Sequence, residues 1–163
     1  MKNISLLFIL LSNHLYSQDI KYENFIVQDK KIIWQKIYQK DSIADLSKIP
    51  ALKFNSNSTA SCYNQKLSCK GLAIYAQSTF QFDLLIEEKE NKVRITVNNI
   101  VFDSNFQVSV GYITTSEKYV TLEEAELRTS DFKFRKNSQS QKNVNCLDNY
   151  FIDLFKPKSI NSW

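Results

Sequence analysis

Between Leu72 and Ile86 the apolar residues fall on alternate positions: Leu72, Ile74 and Ala76, then Phe80, Phe82, Leu84 and Ile86, with mostly polar neighbours. A period of two sustained over this length predicts a long strand with one buried face. Tyr75 falls on its polar side. The charged run from Glu87 to Asn91 reads as a turn. Alternation then resumes, with Val93, Ile95 and Val97 set against Lys92, Arg94 and Thr96. The phase slips by one at Asn98-Asn99, after which Ile100 and Phe102 are the apolar positions. A slip of this kind is what a β-bulge produces. The two runs therefore predict an antiparallel hairpin with a bulge in its second strand.

Upstream, Phe25 to Val27 reads as a short strand, and Gln28 to Lys31 as a polar turn without the Asn-Gly signature of a tight hairpin. Ile32 to Tyr38 (IIWQKIY) is rich in β-formers, with Ile33 and Ile37 on one side and Trp34 and Tyr38 on the other. Asp41 is placed to cap a short helix striped by Ile43, Ala44, Leu46 and Ile49 and ended by Pro50. Leu52 and Phe54 suggest a brief strand. Asn55 to Ser61 is a loop by composition, and the Cys62–Cys69 segment follows it. Downstream, Phe106, Val108, Val110 and Tyr112 predict another strand. Thr121-x-x-Glu124 is a capping box opening a helix from Leu122 to Arg128. Val144, Leu147, Phe151, Leu154 and Phe155 recur at three- and four-residue spacing until Pro157. That stripe predicts an amphipathic C-terminal helix covering one sheet face. Together these elements define an α+β class: a curved antiparallel sheet of about five or six strands with two or three helices on one face. No repeat and no linker divides the chain.

The first seventeen residues follow a different pattern. Lys2 gives a positive start, Ile4 to Leu11 a short apolar run, and Leu15-Tyr16-Ser17 a small residue before Gln18. This is the layout of a secretory signal peptide, and the run falls short of the roughly 18 residues that span a bilayer. The reading is a removed signal over residues 1–17 and a single α+β domain over 18–163, exported to the periplasm, the cell surface or the medium. No later run is apolar enough to cross a membrane.

Composition narrows the chemistry. With 43% hydrophobic and 23% charged residues the chain is globular in type. Its formal charge of +4 drops by one with Lys2, a mild excess well short of a dedicated nucleic-acid binder. The one histidine, His14, lies in the signal segment. The remainder therefore cannot build His-based triads or imidazole metal sites. The two glycines, Gly71 and Gly111, cannot form a phosphate-cradling loop. No cofactor or metal is expected.

Several residues are nonetheless candidates. Cys62, Cys69 and Cys146 allow three single pairings, or all three can be partly buried and reduced. A clip between Cys62 and Cys69 would stabilise by about 2–3 kcal/mol. Cys146 falls off the apolar stripe of its helix, where a thiol can be reactive, or it can pair with Cys62 or Cys69. The acidic groups Glu87, Glu88 and Glu90 and Glu123, Glu124 and Glu126 suit a turn and a helix start, and paired carboxylates can also serve hydrolysis. Lys133, Arg135 and Lys136, with Lys142 and the aromatics Phe132 and Phe134, form a candidate anion or partner contact. Trp34, Tyr38, Tyr75 and Trp163 are further aromatic contact candidates.

Four stretches carry a resemblance: the IIWQKIY strand, the Lys70-Gly71-Leu72 entry, the Val93–Phe102 strand ending Asn-Ile-Val-Phe, and the segment from Asn145 to Phe151. Across residues 24–155 the chain resembles a domain-of-unknown-function family of exported, Bacteroidetes-type bacterial proteins with a TATA-binding-protein-like (TBP-like) fold. That resemblance implies a curved antiparallel sheet backed by helices. It brings no activity, and a fold name does not imply DNA binding. The function expected is a non-enzymatic binding or assembly module of the cell envelope, presenting one sheet face to a partner. The alternative is a carrier of a lipid or small apolar ligand, with a cavity between the sheet and the C-terminal helix. A hydrolase using carboxylates or Cys146 comes third.

Overall fold

A computed structural model describes residues 22–104, 106–110, 113–117 and 119–157. The signal-like segment 1–17, Gly111, Tyr112 and Trp163 lie outside the described residues.

Alternation in the sequence becomes a sheet because the long central strands bury one face. Strands β1 (Phe25–Gln28), β2 (Lys31–Gln39), β3 (Leu52–Phe54), β4 (Thr59–Lys66), β5 (Thr79–Lys89) and β6 (Lys92–Phe102) pair antiparallel in the order β1-β2-β6-β5-β4-β3. One row of apolar residues crosses the whole sheet: Phe25, Trp34, Val97, Leu84, Ala60 and Phe54 stand side by side in register. The next position along each strand faces the other way, giving the row Gln35, Thr96, Leu85 and Thr59. Strands β7 (Phe106–Val110) and β8 (Ile113–Glu117) make a separate hairpin, and β9 (Val120–Thr121) pairs with the end of β6.

The turns have local causes. Asp29 and Lys30 both take left-handed backbone angles (φ 49° and 64°), so β1 and β2 are joined by a tight two-residue turn even without Asn-Gly. The predicted bulge is present: Gln81 faces Val101 and Asp83 faces Asn98, leaving two β6 residues opposite Phe82. Asn99 absorbs the extra residue at φ 50°, and its amide donates to Asp83 at 2.8 Å. Ile100 and Phe102 thereby return to the buried face.

Two regular helices close that face. Helix α1 (Leu122–Glu126) opens with the predicted capping box, Thr121 and Glu124 bonding each other's backbone N–H, but stops two residues before Arg128. Helix α2 (Ser138–Phe155) is capped by Asn137 and starts six residues before Val144. Its Phe151 ring lies 5.2 Å from both Trp34 and Phe82, and Phe155 lies 5.7 Å from Trp34. Asp148 accepts from Trp34 Nε1 at 2.7 Å and from Asn24 at 2.8 Å, so the buried indole N–H is satisfied. No described helix is long and apolar enough to cross a membrane.

Three expectations are corrected. The strand predicted from Leu72 begins at Thr79, because Tyr75–Gln77 is a 3-10 turn that sends Ala76 inward and leaves Ile74 exposed. The Asp41 helix is instead two 3-10 turns, Lys40–Ser42 and Leu46–Lys48, the second capped by Asp45. The loop expected over Asn55 to Ser61 ends at Ser58, because β4 already begins at Thr59 and runs to Lys66, with a register shift between Cys62 and Gln65 and Asn64 at φ 55°.

Candidate functional site

The cysteines settle first, because they define a wall. Cys69 is bonded to Cys146, 77 residues on, with their Cα atoms 6.2 Å apart. Cys62 is free and buried. The Cys62–Cys69 clip is therefore not formed: Cys62 sits within β4 facing the core, while Cys69 lies beyond the strand and reaches α2. Cys146 is buried rather than a reactive off-stripe thiol. Burial pushes the Cys62 thiol up to about 11, so it is protonated and a poor nucleophile at neutral pH.

Beside this disulfide lies a cleft of about 710 Å³. Its outer wall is the 43–50 segment, with Ile43 and Ile49. Leu67 contributes from the strand end, and Tyr150 and Leu154 from α2. These side chains are partly or wholly buried and packed against the core, yet each presents apolar surface to the cleft. The outer wall is tied to the helix end by Ala44 N–H donating to the Phe155 carbonyl at 2.9 Å. The polar lining is an Asp45–Lys48 pair at 3.0 Å, Ser68, and Asn149, Asp153 and Lys156 from α2 and its end. A concave, mainly apolar site of this volume that also carries polar groups is the usual form of a small-molecule pocket. It is not the cavity expected between sheet and helix, since Trp34, Phe80, Phe82, Phe151 and Phe155 fill that space. It lies on the other flank of α2.

The acidic groups have separate structural tasks. Glu87 makes a two-pronged pair with Arg94 (2.8 and 2.6 Å), and Glu88 pairs with Lys40 at 2.7 Å. Both are surface pairs, worth little to stability. Glu123 accepts the Ile32 backbone N–H at 3.0 Å, and Glu124 closes the capping box. Glu126 is only 1% exposed. It accepts from the Tyr75 hydroxyl, from the Ser140 hydroxyl and from Asn143 Nδ2 at 2.9 Å. These three bonds fasten the Tyr75 turn and α2 to the end of α1. Among the described residues no group of three His, Cys, Asp or Glu could hold a metal ion.

Glu126 also sets a pH dependence. Burial raises its carboxyl above the ordinary value of 4.5, the three hydrogen bonds and nearby Arg135 offsetting part of that rise. The native state then binds its proton more readily than the unfolded chain. Its contribution to stability is full below about pH 4.5 and is lost as pH rises through the folded value. Glu126→Gln is expected to flatten this slope. Urea denaturation at pH 5 and pH 7.5 checks it: wild type loses more stability across the interval than the variant.

The basic stretch is divided by the fold. Phe134 is buried and bridged to Leu127, while Arg135 is half-buried and its charge favours the Glu126 carboxylate. Lys142 stands over Gly71, where a Cβ would come within 2.6 Å of Nζ. Lys133 and Lys136 are exposed and each has an interaction of its own. Phe132, partly exposed, lies under Lys30 at 4.5 Å. Tyr75, read as outward-facing, is instead turned in against Phe102 at 5.0 Å.

No family model matches the chain, and no curated protein matches it. Among solved structures it is similar to a TBP-like protein from Parabacteroides distasonis, at 12% identity and a TM-score of 0.43, over 79% of this chain and 93% of that one. Likeness at this level transfers neither chemistry nor partner. The structure itself is that of an α+β protein: an open antiparallel sheet closed on one face by helices.

Proposed function

We propose that the protein is an exported, non-enzymatic binding module of the cell envelope that holds a small ligand in the cleft beside α2. The observation that carries this reading is the cleft itself, about 710 Å³ and walled by Ile43, Ile49, Leu67, Leu154 and the disulfide. Three further points support it. The start of the chain has the layout of a secretory signal. A disulfide is at home in an oxidising compartment. The thiols and acids that might serve a hydrolase are bonded, buried or engaged in the scaffold.

The test uses a neutral fluorescent probe, N-phenylnaphthylamine, together with native mass spectrometry of freshly purified protein. Ile49→Asp places a charge in the apolar wall and is expected to weaken the probe by about tenfold, since a buried unpaired charge is costly. Ile37→Asp, on the opposite sheet face, is expected to leave binding unchanged. Equal binding by all three proteins, with no co-purified adduct, would overturn the reading.

A second reading has one observation in its favour. On the face turned away from α2, Ile37 is 60% exposed beside the Arg94–Glu87 pair, and Ile26 is 44% exposed. An envelope protein docking there would cover them. Cross-linking in intact envelopes tests this: a stoichiometric partner linked through β2 supports it, and recovery of monomer alone removes it.

A further inference from the structure

We infer that the ligand of this cleft is a zwitterionic amphiphile: one apolar chain carrying a head group in which an ammonium lies a few bonds from an anion. The inference rests on the reading of the cleft as the binding site and adds the ligand's chemical class.

The cleft holds four charges in two different states. On the outer wall Asp45 and Lys48 neutralise each other at 3.0 Å, and the Ser47 hydroxyl and N–H also bond the Asp45 carboxylate. On the α2 side Asp153 and Lys156 have no ion-pair or hydrogen-bond partner among the described residues. Three positions apart, they would face each other on a continuous helix. They do not, because Lys156 is the helix C-cap with extended backbone (φ −75°, ψ 137°) and leaves the helical row. Asp153 also stands in the last turn of α2, a turn with no basic residue of its own, whose Phe155 carbonyl accepts the Ala44 N–H. A ligand ammonium would pair with the exposed, unpartnered Asp153 carboxylate beside the negative end of the helix. A ligand anion at Lys156 answers the cation beside it.

The alternatives fit less well. A purely anionic amphiphile would meet Lys156 but set its charge against Asp153 and the helix terminus. A purely cationic one would meet Asp153 and face Lys156. An uncharged ligand would fill the apolar walls and leave both charges as they are. The volume is that of a single drug-sized molecule, which suits one chain.

The experiment measures binding of four single-chain probes of equal length, below their micelle concentrations. Their heads are phosphoethanolamine, phosphoglycerol, a primary ammonium and a neutral sugar. The phosphoethanolamine probe is expected to bind about tenfold more tightly than the others, one charge-assisted contact's worth. Asp153→Asn should weaken it and leave the phosphoglycerol probe unchanged or stronger. Lys156→Met should weaken it and leave the ammonium probe unchanged or stronger. Both positions are exposed, so the fold should tolerate the changes. If all four probes bind alike and Ile49→Asp weakens every one, the cleft is the site and the head-group inference is overturned. If Ile49→Asp changes none of them, the cleft reading itself fails, and the inference with it.

Discussion

Replacing Cys69 and Cys146 together by serine should lower stability to unfolding by about 4.5 kcal/mol, the loop-closure value for a bond spanning 77 residues. Reductant should destabilise wild type by a similar amount and leave the double variant unaffected. Cys62→Ala should keep the full response to reductant, because Cys62 is outside the bond. Thiol titration in denaturant gives an independent count: one free thiol of three before reduction and three after. If Cys62→Ala abolished the response, the pairing would be different. The bond also has a local effect. It holds the chain beyond β4 against α2, and both flank the cleft, so ligand affinity should fall with the double variant even in conditions where the protein remains folded.

The strands that could be read in advance are those with one clear buried face. Phe80 to Ile86 and Val93 to Phe102 show their pattern because α2 covers their apolar side and the other side stays polar. The bulge was visible because a phase slip leaves a mark in the sequence itself. Strand β4 left little mark. It lies next to the edge strand β3, and its core-facing residues, Ala60 and Cys62, are small among polar neighbours. Leu72 to Ala76 misled for the opposite reason. Three alternating apolar residues mimic a strand, but Gly71 at φ +66° and the buried Glu126 draw the segment into a turn with Tyr75 inside. Glu126 itself looked like one of three first-turn acids, since a run of glutamates does not say which one the fold will bury. The cleft had no local signal at all. Its walls come from residues 43–50, 67–69 and 146–157, each ordinary alone, and they meet through a disulfide whose pairing spacing does not decide.

Phe151→Ala should cost about 3–5 kcal/mol, the usual range for removing a buried phenylalanine. The ring is fully buried and touches Trp34, Phe82, Phe25, Phe80 and Tyr150, so no single neighbour can collapse into the space it leaves. Ile37→Ala, on the opposite face, should stay within about 0.5 kcal/mol of wild type. Urea unfolding separates the two, with a large shift in midpoint at constant slope for Phe151→Ala and almost none for Ile37→Ala. Equal costs would mean that α2 is not packed against the Trp34 face. Against a typical total of 5–15 kcal/mol, this loss and that of the disulfide are each a large fraction. Both attach α2, one by packing onto the sheet and one by a covalent tie beside the cleft. Their combination should therefore exceed what the docked helix can survive. Phe151→Ala under reducing conditions is expected to lose the near-ultraviolet signal of its packed aromatic rings at 25 °C, while either change alone leaves it in place.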